Sequence, residues 1–290
     1  MRTISQVFPA LWQHERLLNA TRTTVSSARA TGRTLRGGSR PLPDFLIIGT
    51  QRGGTTSLHE DLCKHNLVAK PLSKEVQFFT LNHKHGERWY RSHFPRLEPG
   101  QQTFESSPYY LFYPAAPARV AAMLPDAKFL VLLRDPAARA YSHYLHSRAV
   151  GAEQLSFEEA IDAEETRLTQ AESLGLDSPE GVRIHRNFSY KSRGMYTEQL
   201  SRWFSSVPRS QLMILKSEDW FRSPEAVYID VLRFLSLPSF APQTWARSNI
   251  LASSSTSPGM TQETRDKLHQ HFESDSEHVR RLLGWETAWA

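Results

Sequence analysis

Residues 49–57, Gly-Thr-Gln-Arg-Gly-Gly-Thr-Thr-Ser, contain the Gly49-x4-Gly54 spacing of a loop that cradles phosphate. Thr55 and Thr56 stand where such a loop ordinarily has lysine followed by serine or threonine, and the nearest cation, Arg52, lies inside the turn. A kinase needs that lysine and a magnesium ion because its transferred phosphoryl group carries several negative charges. A sulfuryl group carries a single charge, so one cation and a set of backbone N–H donors suffice to stabilise its transfer without a metal. Arg52 beside Gly53, Gly54, Thr55 and Thr56 is that combination. No acidic strand end reads as a magnesium site. Arg134-Asp135 comes nearest, but its arginine leads and Pro136 follows.

Such residues must be held by strands and helices. "FLIIG", residues 45–49, is a short apolar run that suits a strand buried on both faces, and Thr55–His65 follows as a helix. The glycine turn thereby presents amides at a helix N-terminus, where an anion is favoured. A second unit starts with the strand Phe129–Leu133, turns at Arg134-Asp135-Pro136, and enters a helix at Pro136. A third strand is predicted within residues 211–220, followed by a helix over residues 223–237. Strands alternating with helices predict an α/β fold: a P-loop-like, three-layer α/β/α domain with a central, mostly parallel sheet. Ser156-x-x-Glu159 is a capping box opening one helix over residues 156–168. Tyr196, Leu200, Trp203 and Phe204 have the spacing of a core-facing helical stripe. Residues 251–260 read as a loop before a last helix that ends near Gly284.

With both phosphate-type turns in view, "IIGTQRGGTTSL" resembles the 5′-phosphosulfate loop of sulfotransferases that use 3′-phosphoadenosine 5′-phosphosulfate (PAPS). "LVLLRDPAARAYSHY", about 80 residues on, resembles their 3′-phosphate strand, turn and helix. The similarity is to the carbohydrate type, which includes heparan sulfate sulfotransferases and bacterial relatives. It continues through "SKEVQFFT", "WYRSHFP", "FESSPYYLFYP", "RGMYTEQLSRWF" and "LLGWETAW". The resemblance implies that Arg52, Gly53, Gly54, Thr55 and Thr56 grip the 5′-phosphosulfate, with Thr56 or Ser57 adding hydroxyl donors. It implies that Arg134 and Ser142 hold the 3′-phosphate, with Arg193 a further candidate. Glu75 would be the base, partly desolvated so that its pKa rises toward neutrality. Lys74 would assist on the sulfuryl oxygens, and Glu105 would orient the acceptor or replace Glu75 as base. Tyr109, within "SSPYYLFYP", reads equally as acceptor cleft or as core. The expected products are 3′-phosphoadenosine 5′-phosphate (PAP) and a sulfated hydroxyl on a sugar, glycolipid or small metabolite, with no metal involved. Three positions depart from the family: Arg52 where lysine is usual, Ser106 where heparan-type enzymes carry lysine, and Thr80 where they carry aspartate. A lysine catalyst at position 106 is thereby excluded.

Composition narrows the alternatives. Residues 1–40 carry seven arginines and one acid, a net +6, while the whole chain is +5, so residues 41–290 are close to neutral. The basic character belongs to that arm, which removes most support for nucleic-acid binding. The arm reads as a solvated segment with a short helix over Phe8–Leu18, or as an organelle-targeting segment, ahead of a domain over residues 41–290. Cys63 is the lone cysteine, so no internal disulfide forms, and a reducing, cytoplasmic location fits. No apolar run is long enough to span a membrane. His83-x-His85, His143-x-x-His146 and His269-x-His271 lack the partners that metals use, although His143 and His146 share a helix with Ser142. The competing functions are a P-loop small-molecule kinase, which would bind ATP with magnesium, and a non-catalytic nucleotide-binding protein. A Ser253–Ser257 loop closing over the nucleotide is a further expectation.

Overall fold

The computed structural model describes residues 30, 32–33, 40–246 and 260–289. The Phe8–Leu18 helix and the Ser253–Ser257 loop lie outside them. Of the arm, Arg33 donates to the Ser92 and Phe94 carbonyls at 3.4 and 3.5 Å, and Arg40 donates to Phe94 at 3.0 Å.

Five strands form one sheet: β1 (Phe45–Gly49), β2 (Val68–Ala69), β3 (Gln102–Ser106), β4 (Lys128–Leu133) and β5 (Leu212–Lys216). Their order is β2-β3-β1-β4-β5 and every pairing is parallel. Side-chain alternation divides the central strands between two cores. Phe45, Ile47, Leu130 and Leu132 pack with Leu58, Leu62, Tyr228, Val231 and Leu232 on one face. Leu46, Ile48, Phe129, Val131 and Leu133 pack with Phe78, Tyr90, Leu200 and Trp203 on the other. The helical stripe of residues 196–204 is therefore core, as predicted, with Phe204 partly exposed.

Three local expectations change, and a strand the sequence does not signal is added. The third strand stops at Lys216 because Ser217–Arg222 is a helix, whose first turn carries Glu218 and Asp219 at its positive end. The helix after the glycine turn covers Thr55–Leu62, stopping short of His65. The capping box at Ser156 forms, but its helix ends at Asp162 and a second runs Glu164–Leu174. The buried Glu164 carboxylate accepts from the Lys191 and Ser192 amides at 2.6 and 2.8 Å, so a tertiary contact fixes that junction. β3 carries no strand signal in the sequence because QTFES has little apolar content. The last helix, Gln262–Leu283, ends as predicted at Gly284 in the left-handed region. Among the described residues no helix is long and apolar enough to cross a membrane.

Candidate active site

Strand order reverses around β1, with β3 on one side and β4 on the other. In open parallel sheets such a switch point leaves a crevice beyond the carboxyl ends of the strands. The predicted glycine turn lies there. Thr50 N–H donates to the Leu132 carbonyl at 2.9 Å, anchoring the turn to β4, and the Ser217 hydroxyl donates to the Gly53 carbonyl at 2.7 Å. Gly53 has no room for a side chain, since a Cβ would lie 2.7 Å from the Leu132 oxygen. Gly54 adopts φ 92° and its Cβ would meet Phe221 at 2.8 Å. Gly54 is also the N-cap of Thr55–Leu62 and offers no side-chain acceptor, so the first-turn amides are disposed toward an external anion. A close backbone cradle of this kind fits a phosphosulfate.

Arg52 itself has φ 70°, a conformation uncommon outside glycine. Its Nε donates to the Ser142 hydroxyl at 3.0 Å. Arg134, buried at the end of β4, donates from Nη1 to the Arg52 carbonyl at 3.1 Å. The turn expected to take the 5′ end and the pair expected to take the 3′-phosphate are thus joined directly. Phe221, which the sequence did not single out, is 40 % exposed. Its ring stands against Gly54 and 6.0 Å from the Arg134 guanidinium carbon. Arg193 is elsewhere: 1 % exposed, it bonds the Gln51 side chain and, at 3.0 Å, the Arg186 carbonyl. Its guanidinium also lies over the rings of Tyr109 and Phe112. Burial pulls its pKa down to about 9. Arg193 is thus a buried brace on the loop through Gln51.

On the opposite wall, Lys74 Nζ donates to Thr56 Oγ1 at 3.0 Å and to Glu75 Oε1 at 3.2 Å. Glu75 Oε2 accepts from Gln77 Nε2 at 3.1 Å and lies 3.8 Å from Arg186 Nη2. The Thr80 hydroxyl donates to Gln77 Oε1 at 2.8 Å, which orients the amide with its NH₂ toward Glu75. Glu75 and Gln77 both have positive φ, 61° and 55°. The pKa of Glu75 is lowered, not raised as expected. Desolvation pushes it up, but Lys74, Arg186 and the hydrogen bonds from Lys74 and Gln77 outweigh that and hold it below the usual carboxylate range. His59 and His146 are neutral at physiological pH. Burial, then Lys74 for His59 and Arg52 for His146, holds them down to about 3 and about 4.

Glu105 and Tyr109 are both buried away from solvent. Glu105 is fully buried; its oxygens accept from the Gln77 amide and from the hydroxyls of Ser107, Tyr110 and Tyr90 at 2.5–3.2 Å. It is the post on which the segment of Glu75 and Gln77 is mounted. Tyr109 is 2 % exposed with its hydroxyl on His185 Nδ1 at 2.6 Å. Tyr110, Leu111 and Tyr113 are buried with it, so "SSPYYLFYP" is mainly core. Sequence reasoning also missed Gln77 and Arg186. Gln77 lies one residue beyond a site residue's neighbour, a signal that was available. Arg186 lies in a helical insertion with none.

Known proteins resemble this chain in sequence and in fold. The sulfotransferase domain model matches residues 42–280. Human heparan sulfate glucosamine 3-O-sulfotransferase 3B1 is 31% identical over 253 residues, covering 84% of this chain and 60% of that protein. The mouse 3B1 enzyme is 34% identical over 200 residues, 69% of this chain and 47% of its own length. The chain thus spans about half the length of these curated relatives. A crystal structure of a sulfotransferase from Alicyclobacillus acidocaldarius superposes with a TM-score of 0.69 at 26% identity, covering 85% of this chain and 98% of that one. A mouse sulfotransferase solved in complex with PAP shares the fold at a TM-score of 0.50 and 13% identity, over 89% and 90% of the two chains. A glycine turn without its lysine, a paired arginine strand end and this family match carry one conclusion: the chain belongs to the sulfotransferase family.

Proposed function

We propose that this protein transfers a sulfuryl group from PAPS to a hydroxyl of a carbohydrate or glycoconjugate. The observation that carries the reading is Lys74, whose ammonium bonds both Thr56 of the donor loop and Glu75 of the facing wall. A cation shared between loop and carboxylate marks where a transferred anion would sit with a base beside it. The donor supplies a sulfuryl group whose bond to the 5′-phosphate oxygen breaks as the bond to the acceptor oxygen forms. Glu75 takes the acceptor's hydroxyl proton. Arg52 and the amides following Gly54 stabilise the charge that accumulates on the departing phosphate. An arginine stays protonated at neutral pH, so Arg52 acts by charge and hydrogen bonding and donates no proton. Arg134 and Ser142 hold the 3′-phosphate, for which a guanidinium fork is geometrically suited. Phe221 offers an exposed aromatic face between the two phosphate grips, suited to stacking of a base.

The carbohydrate class is supported by the similarity to heparan sulfate sulfotransferases. Arg186, beside Glu75, adds a cation that an anionic acceptor would meet. Cys63, half-buried and unpaired, is compatible with a reducing compartment, and the cytoplasm is the location proposed. The test is transfer from labelled PAPS to desulfated heparan oligosaccharides and to neutral glycans. Wild type is expected to give a labelled product, and Glu75→Gln to lower turnover by about 10² or more while PAP affinity stays within about twofold. Unchanged turnover in Glu75→Gln would move the base elsewhere; phosphoryl transfer from Mg-ATP would replace the reading with a kinase.

A further inference from the structure

The turn that carries Arg134 is held from outside the site. Its backbone makes two hydrogen bonds to side chains of other elements. The Arg134 carbonyl accepts from the Tyr196 hydroxyl at 2.8 Å. The Asp135 N–H donates to Glu218 Oε1 at 2.9 Å. Trp289 touches both partners: its indole Nε1–H donates to Glu218 Oε2 at 3.0 Å, and its ring lies 5.5 Å from that of Tyr196. Each oxygen of the Glu218 carboxylate therefore receives one N–H, one from Asp135 and one from Trp289. A carboxylate alone satisfies two such donors; a glutamine would turn an NH₂ toward one of them.

Trp289 is in turn fixed at that spot. Gly284, at φ 67°, ends the helix Gln262–Leu283, and the Trp285 amide closes on the Arg280 carbonyl at 3.0 Å. The Trp285 and Trp289 rings then pack edge to face at 5.5 Å. Lys216, the last residue of β5, donates to the Thr287 carbonyl and sits 4.7 Å from the Trp285 ring centroid. Residues 285–289 thus strap across the carboxyl ends of β4 and β5, where Arg134 leaves the sheet.

We infer that Trp289 is a positioning residue for nucleotide recognition: through Glu218 and Tyr196 it sets the Arg134-Asp135 turn so that Arg134 meets a 3′-phosphate. The inference rests on the proposed PAPS reading. Because Trp289 reaches the Arg134-Asp135 turn through both Glu218 and Tyr196, its loss weakens ligands that carry a 3′-phosphate more than those that lack it. A general weakening of the fold would affect PAP and adenosine 5′-phosphate alike.

The test uses the full chain and isothermal titration with PAP and with adenosine 5′-phosphate, which lacks the 3′-phosphate. Trp289→Phe keeps the packing and removes the N–H. Its Kd for PAP is expected to rise about five- to tenfold while that for adenosine 5′-phosphate moves less than twofold. Glu218→Gln is expected to give the same selective loss, and the double variant no more than either single one. An unchanged PAP affinity in both variants, or equal loss for the two nucleotides, overturns the inference while leaving the sulfotransferase reading intact. A wild-type chain that binds no PAP overturns that reading, and this inference with it.

Discussion

Glu75 is held between Lys74, Gln77 and Arg186, and its function depends on what those neighbours do to its charge. With a pKa depressed below the ordinary 4.5, it is ionised throughout the neutral range. Its proton-accepting form is therefore lost only as pH falls through that depressed value. The pH profile of kcat/KM is expected to be flat from about pH 6 to 8 as far as Glu75 is concerned, with its acid limb below 4.5. Gln77→Leu removes a hydrogen bond that favours the charged form, so the limb is expected to move upward, toward the ordinary carboxylate value. A limb near neutrality in the wild type, or one that Gln77→Leu leaves in place, would show that another group titrates. Glu75 could be named from its segment; its low pKa could not, because Arg186 reaches it from a helix far along the chain. Burial explains the corrected neighbours in the same way. Glu105 and Tyr109 looked like acceptor groups as residue types, but their environments make them a hydrogen-bonding post and a wall.

At the scale of elements, the glycine turn works because strand, turn and helix follow one another without interruption. Two constraints meet at Gly54: the left-handed backbone, and Phe221 pressed against its Cα. In Gly54→Ala the new methyl meets the ring and the backbone remains strained, at a cost of roughly 1 kcal/mol or more for the conformation alone. PAP affinity, measured by titration, is expected to fall at least tenfold. Adding Phe221→Ala is expected to restore only part of it, since removing the ring leaves the strain. Full restoration would mean that the clash alone matters. The boundaries that sequence patterning missed share a cause. β5 ends early at a helix start, the helix from Phe157 breaks where Glu164 reaches the Lys191 and Ser192 amides, and β3 holds polar residues because the buried Thr103 and Glu105 side chains find hydrogen-bond partners.

For the molecule as a whole, the two proposed phosphate grips share a backbone contact through Arg134 and the Arg52 carbonyl. A ligand bridging both grips ties the β1 turn to the β4 turn at the centre of the sheet. PAP at 100 times its Kd is expected to stabilise the fold by about 2.7 kcal/mol, or roughly 5–10 °C in Tm for a domain of this size. Mg-ATP, which has no 3′-phosphate and would want the absent lysine, is expected to give no comparable shift. A thermal shift assay with both nucleotides checks this, and stabilisation by Mg-ATP alone would favour kinase chemistry.

The sequence by itself determined the proposed donor side: the Gly49–Gly54 turn, the strands that carry it and Arg134, and the parallel α/β class. Those features are local, since in a strand–turn–helix unit spacing along the chain is spacing in the molecule. Tertiary structure alone decided the wall that carries Glu75 and the braces behind the two turns. There Glu75 meets Arg186, Arg193 crosses 142 positions to brace Gln51, and Trp289 reaches Glu218. These contacts join segments with no shared periodicity, so only packing of the whole chain brings them together, and burial then decides which polar groups face solvent and which support the fold.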